Sequence, residues 1–287
     1  MYIQLYHGTF SLYLYLSRGS PGQDRSKHAV IFHIEGSKKV IHRLEYGRKI
    51  LGNPKKIFRL KAMRENLTRV VEDYLKTIYE LTRTNERATT NQIAERMGVT
   101  PASVTNMIQK LAESDPPLLD YRKHHGVQLT PEGERVALEI IRHHRLLEMF
   151  LHETLGYSWD EVHEEADRLE HVISEEMEER IAISLGNPQH DPHGDPIPSR
   201  DLQMPKSSAV TLSQLRPLQK AQVKRVSDSD PDLLRYLSER GIEPAAQLEI
   251  LDFSPFDNNL KVQVSGIDEP VVLGSKVTSQ VFVEIMD

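Results

Sequence analysis

The chain has 287 residues, 38% hydrophobic and 27% charged, enough for two or three packed domains. It contains no cysteine, which excludes disulfides, iron–sulfur clusters and thiolate zinc sites, so any metal must be held by oxygen and nitrogen. The net charge of −6 is unevenly spread: residues 1–62 carry 12 Lys+Arg against 3 Asp+Glu, leaving 24 against 39 for the rest, and a body that acidic grips DNA only through a local basic patch or neutralising cations.

Residues 1–62 are basic, hold five of the ten tyrosines and lack a sustained helical period. Segments 28–34 and 39–44 read as short strands. Because Met63 opens the first well-patterned helix, we expect this stretch to be an extension outside the folded unit, either disordered or translated from a misplaced start; a basic DNA-contacting arm is the alternative. From Asn66 to Arg83, Val70, Tyr74, Leu75, Ile78 and Leu81 recur at helical spacing. A second helix is expected over 91–97, a turn at Gly98, and a third helix opened by Thr100 as N-cap and Pro101 in the first turn. Segment 118–129 reads as two strands around a basic tip, a wing. Thr130-Pro131 begins a long helix running past Glu153, and a further helix is expected over 159–185. Five prolines between Pro188 and Pro205 mark a linker. Beyond it the period falls to two over 221–226, 247–251, 260–264 and 281–285, with a short helix over 231–240 closed by Gly241, which predicts a small β-barrel of about five strands.

A helix–turn–helix followed by a basic hairpin points to DNA binding. In the third helix Thr100, Ala102, Ser103 and Asn106 lie opposite Val104 and Ile108, and such small or polar groups suit base edges and thymine methyls. Lys110 and the wing residues Arg122, Lys123 and His124 suit phosphates. Downstream, His144 and Glu148 stand four apart on one helix and can converge on one ion. His163, Asp167, Glu170 and His171 fall within an arc of roughly 100° at the helical pitch. Asp73 sits on the core-facing side of the first helix, where a carboxylate needs a partner.

The segments Asp73–Leu81, Thr100–Leu111, His144–Glu148 and His163–Glu176, with the C-terminal strands, resemble the diphtheria-toxin-repressor / manganese-transport-regulator family over residues 63–287. That resemblance implies a first metal site of His144, Glu148 and His163 and a second of Asp73, Asp167, Glu170 and His171, the second tying the first helix to the dimerisation helices. It also implies a carboxylate from the C-terminal domain at the first site, Asp230 in preference to Asp232, and a linker ligand, His193 in preference to Asp191. Iron-responsive members carry methionine and cysteine where this chain has Asp73 and Asp167; carboxylates there make the site oxygen-rich and better suited to Mn²⁺. Short manganese-specific members place a second carboxylate one turn after Asp73, where this chain has Lys76, which weakens the case for a paired cluster.

The expected fold is mainly α with a small β part: an N-terminal winged helix-turn-helix (63–135), a helical metal-binding and dimerisation domain (136–187), a Pro-rich linker (188–208) and a C-terminal SH3-like β-barrel (209–287). The expected function is a homodimeric, cytoplasmic repressor of metal-homeostasis genes, activated by Mn²⁺ first, Fe²⁺ second and Zn²⁺ third, with a palindromic double-stranded operator as partner. It is read as no enzyme, with no small-molecule substrate and no membrane association, since no apolar run approaches the roughly 20 residues of a transmembrane helix. The alternatives are a metal-independent winged-helix regulator and a metallohydrolase built on His144, Glu148 and His163.

Overall fold

The computed structural model describes three N-terminal strands and residues 67–83, 86–206 and 208–286. The strands β1 (Gln4–His7), β2 (Phe10–Leu16) and β3 (Val30–Ile34) form an antiparallel sheet in that order. One expected strand, 28–34, overlaps β3; the other, 39–44, lies outside the described residues. Residues 1–61 form one compact unit and 62–287 another.

In the second unit, α1 (Arg69–Thr82) buries Tyr74, Leu75 and Ile78 as expected and half-buries Leu81, but Val71 lies in the core in place of the expected Val70, which is exposed. Helix α2 (Thr90–Met97) starts at a capping box in which Thr89 and Gln92 satisfy each other's backbone, and it ends at Gly98 with φ 66°, a left-handed turn that glycine adopts without steric cost. Thr100 accepts from Ser103 N and opens α3 (Pro101–Ala112), whose Val104, Ile108 and Leu111 are buried. The wing is the antiparallel pair β4 (Leu119–Arg122) and β5 (Gly126–Leu129).

The 25-residue α4 (Pro131–Leu155) is the spine of this unit. Val136 and Ala137 near its start belong to the core of the winged helix, whereas Leu146, Leu147 and Leu151 belong to a second core with Val162 and Ala166. The helix expected over 159–185 is in fact two, α5 (Val162–Leu169) and α6 (Glu175–Ser184). Ser174 caps α6 by accepting from Met177 N, and this local bond starts a new helix instead of prolonging the first. The break leaves Glu170 and His171 in the turn, facing α1.

The Pro-rich stretch is packed against the body, with Asp191 and residues 193–198 buried. Its Gly194 has φ 87°, and a Cβ there would stand 1.9 Å from Lys224 O, so only glycine permits this approach. His193 O accepts from Val226 N at 2.9 Å, which docks the stretch on the C-terminal sheet.

That sheet requires a correction. Its strands are β6 (Val210–Thr211), β7 (Lys220–Val226), β8 (Gln247–Phe253), β9 (Leu260–Val264), β10 (Val271–Leu273) and β11 (Val281–Met286), in the order β10-β9-β8-β7-β11-β6. All neighbours are antiparallel, and the end strands β10 and β6 do not pair with each other, so the sheet is open and is not the closed SH3-like barrel expected. Period-two patterning reports which face of each strand is buried and carries no information on whether the edges meet. The end strands have two and three residues, a length that blunts an exposed edge without closure. Leu234 and Leu237 of α7 (Pro231–Ser238) cover the apolar face, and a last short helix, α8 (Ser275–Thr278), precedes β11. Trp159, just before α5, completes this third core from outside the sheet domain. Among the described residues no helix is long and apolar enough to cross a membrane.

Candidate metal centre

Helix α4 presents His144 and Glu148 one turn apart, both buried, with His144 Nε2 2.9 Å from Glu148 Oε1. Helix α5 adds His163, whose Nδ1 lies 3.1 Å from Glu148 Oε1 and 3.1 Å from His144 Nε2. From the end of β7 comes Asp228, with Oδ2 3.4 Å from His163 Nδ1. The packed proline-rich stretch brings His193 Nδ1 to 3.8 Å from Glu148 Oε1 and places Asp191 beside them. Ligand atoms of His144, Glu148, His163 and Asp228 lie within 4.8 Å of one another, as do those of Glu148, Asp191 and His193, so Glu148 belongs to both groups.

This cluster fits a divalent cation on its own chemistry. Glu148 Oε2 and His193 Nδ1 are buried and lack a hydrogen-bond partner, a costly arrangement unless something else satisfies them. His193 Nε2 donates to Trp159 O at 2.6 Å, because a carbonyl can only accept, and this leaves the Nδ1 lone pair facing Glu148. Burial would raise the Glu148 carboxyl, but the His144 charge and hydrogen bonds from His144 and His163 hold it well below its ordinary value. Burial likewise works against a charged His163, yet hydrogen bonds to Asp228 and Glu148 lift it to about 10. Asp191 is pushed well up by burial and by the charges of Glu148 and Asp195. Protons therefore hold together, in the metal-free chain, a set of donors that a cation could hold instead.

A second group forms where α1 meets the turn after α5. Asp73 Oδ1 lies 2.9 Å and Glu170 Oε1 3.3 Å from His171 Nε2. Glu72 Oε2 accepts from His171 Nδ1 at 2.6 Å, an orienting bond that turns Nε2 towards Asp73 and Glu170. Although burial opposes it, hydrogen bonds to Asp73 and Glu72 raise His171 to about 9. Asp167 stands with Glu170 and His144 in a third grouping, and Lys76 reaches into it.

Every metal-ligating residue anticipated from sequence lies in one of these groups except Asp230 and Asp232. Asp230 caps α7, accepting from Asp232 N at 3.0 Å and Leu233 N at 3.3 Å, and Asp232 is exposed beside Arg235. The nearby carboxylate in the cluster is Asp228. A signal for it was present: Asp230 immediately precedes Pro231 and a helical period, which marks it as a cap and leaves Asp228 free. On the DNA side Thr100, Ala102, Ser103, Asn106, Lys110, Arg122 and Lys123 are all exposed.

A further ionic centre was not anticipated. Asp195, buried, meets Arg145 of α4 at 3.1 Å, Arg225 of β7 at 3.3 Å and Arg83, just past α1, at 3.8 Å. Arg145 also reaches Asp191 at 3.5 Å. One carboxylate thus joins the winged helix, the spine helix and the C-terminal sheet, one ion pair away from the first cluster.

Three family profiles match this chain: the iron dependent repressor N-terminal DNA binding domain over residues 66–127, the iron dependent repressor metal binding and dimerisation domain over 130–199, and the FeoA domain over 210–285. The iron-dependent repressor IdeR of Mycobacterium leprae is 32% identical over 213 residues, covering 67% of this chain and 88% of that protein. The diphtheria toxin repressor of Corynebacterium diphtheriae is 29% identical over 198 residues, covering 66% and 87%. Among solved structures, a manganese-dependent transcriptional repressor in complex with manganese superposes with a TM-score of 0.68 at 41% identity, covering 74% of this chain and 98% of that one. ScaR with bound Zn²⁺ gives a TM-score of 0.65 at 35% identity, covering 75% and 98%. The chain therefore belongs to the diphtheria-toxin-repressor / manganese-transport-regulator family of metal-dependent repressors, with an FeoA domain following its DNA-binding and dimerisation domains.

Proposed function

We propose that this protein represses metal-homeostasis genes when a divalent cation, Mn²⁺ first and Fe²⁺ second, fills the clusters on α4, α5 and their neighbours. The observation that carries this reading is the pair of buried, unpartnered ligand atoms, Glu148 Oε2 and His193 Nδ1, in a pocket of imidazoles and carboxylates. His144, Glu148, His163, Asp191, His193 and Asp228 would hold one ion; Asp73, Glu170 and His171 would hold another. When bound, the cation supplies the positive charge that lets these carboxylates stay ionised together without protons on the histidines. An all-oxygen-and-nitrogen donor set suits Mn²⁺ and Fe²⁺; because intrinsic affinity rises from Mn²⁺ towards Cu²⁺, selection rests on geometry and availability.

The chain's own part is mechanical. Asp73 rides on α1, within the winged helix, and His171 on the turn after α5, so their joint engagement fixes the winged helix against the helices that carry the dimer. In a homodimer this sets the separation of the two α3 helices, and a palindromic operator accepts one such separation. Thr100, Ala102, Ser103 and Asn106 would face bases, and Lys110, Arg122 and Lys123 phosphates. Cation and DNA then favour one conformer, so each strengthens the other's binding reciprocally, by on the order of 150-fold for a coupling of about 3 kcal/mol. Family members are transcriptional repressors and not enzymes, and no observation favours the metallohydrolase or metal-independent readings.

The test is operator binding by fluorescence anisotropy at fixed salt, with and without Mn²⁺, for the native chain and for Glu148→Gln. Tight binding only with Mn²⁺, lost in the variant, is expected. Equal binding with and without the ion would overturn the proposal.

A further inference from the structure

Between the two clusters just assigned lies the third grouping of metal-ligating side chains, His144, Asp167 and Glu170. Lys76 from α1 enters it. Its Nζ stands 2.8 Å from Glu170 Oε2, 3.1 Å from Asp167 Oδ1 and 3.1 Å from His144 Nδ1, and its side chain is only 15% exposed. We propose that the Lys76 ammonium is a resident cation of this grouping: it keeps a divalent ion out, limits the chain to two ions per protomer, and latches α1 to α5 in the absence of metal.

Three observations support this. The first is occupancy: an ammonium has three donors and no acceptor, and here it has carboxylate oxygens from two residues within hydrogen-bond distance. The second concerns His144. Its Nε2 faces Glu148 and His163, so when that nitrogen serves an ion there, Nδ1 carries the hydrogen and donates to Glu170 Oε2 at 2.6 Å. A ring nitrogen bearing a hydrogen is no ligand, and an incoming ion would find only two carboxylates already shared with an ammonium. The third is the division of Glu170: Oε2 serves Lys76 and His144, while Oε1 faces His171 and Asp73. The lysine therefore closes one centre and leaves the adjoining one open. Asp73 and Lys76 are three apart on α1, so one face of that helix delivers a ligand to the open centre and a fixed charge to the closed one.

This inference rests on the metal-dependent reading above and is tested separately from it. The native full chain, Lys76→Glu and Lys76→Gln are dialysed against Mn²⁺ alone; bound ion per folded chain is counted by elemental analysis, and electron paramagnetic resonance reports whether ions are adjacent. Two ions per native chain with uncoupled spectra are expected, and three in Lys76→Glu with a spin-coupled pair. Lys76→Gln keeps the test open should the glutamate variant not fold: without the ammonium, the metal-free variant is expected to melt lower than the native chain, and this difference to shrink with Mn²⁺. Equal ion counts in the native and Lys76→Glu chains, or a spin-coupled pair already present in the native chain, would overturn the inference while leaving metal dependence intact. A native chain that binds no Mn²⁺ would overturn both.

Discussion

Mn²⁺ affinity should climb steeply with pH, because the metal-free clusters are held together by protons on ligand nitrogens. Burial disfavours those protons, but Asp228 and Glu148 lift His163 to about 10, and Asp73 and Glu72 lift His171 to about 9. At pH 7.5 both rings are protonated before metal arrives, and each must lose its proton to coordinate. The penalty is the distance between pH and pKa, so at pH 7.5 the His163 proton alone lowers apparent affinity about 300-fold at the first site and the His171 proton about 30-fold at the second. Between pH 6.5 and 8.5 the His171 site should gain about a factor of ten per pH unit, with about one proton released per ion, and the first site more than that, because His144 is also held charged there and Asp191 is pushed up. Competition against a chromophoric chelator under anaerobic conditions reads the slope, and calorimetry in buffers of different ionisation enthalpy counts the protons. The same raised values make the metal-free fold most favoured below pH 6.5, with that contribution lost as pH passes through about 9 and 10. An affinity flat across the window, or no proton release, would refute the picture of histidinium-held clusters.

Other substitutions separate neighbouring roles. Asp228→Asn should weaken Mn²⁺ binding at least about tenfold, as loss of a ligand does, whereas Asp230→Ala should leave affinity unchanged and cost about 1 kcal/mol of stability through the lost cap of α7; isothermal titration and thermal melts distinguish them. Asp195→Ala strands the buried Arg145 guanidinium among partners that compensate it only in part, and a loss of about 3 kcal/mol in denaturant unfolding is expected. Arg122→Ala and Lys123→Ala should each lower the slope of log affinity against log salt by about one, uniformly across operator sequences, in anisotropy titrations.

Much of the molecule was readable because its signals are local. The i, i+4 pair His144–Glu148 needs only one regular helix, the caps Thr89, Thr100 and Thr130 act within three residues, and Tyr74, Leu75 and Ile78 need only the 3.6 period, whereas of the adjacent Val70 and Val71 the period picked the one that is exposed. What escaped depends on distant segments. Sheet closure is a matter of which edges meet, and alternating residues do not encode it. The break at Ser174 was written in its sequence, a serine before three glutamates, but the continuing run of helix formers masked it. Lys76 is legible only as a residue standing where a second carboxylate is expected, and Asp195 carries no signal of its own; the packing of α1 on α4 and α5, and of the proline-rich stretch on β7, turns them into buried partners.

The stretch around Gly194 ends up doing two jobs at once. His193 offers a nitrogen to the first cluster while its carbonyl anchors β7 and its ring stacks on Trp159 at 5.9 Å, itself wedged into the FeoA-domain interior. Cutting the backbone here, or deleting everything beyond it, would strip donors from the ion as well as removing an appendage. On the proposed reading the third module is thus part of the sensor: losing it removes Asp228 and unseats His193, leaving the ion to His144, Glu148 and His163.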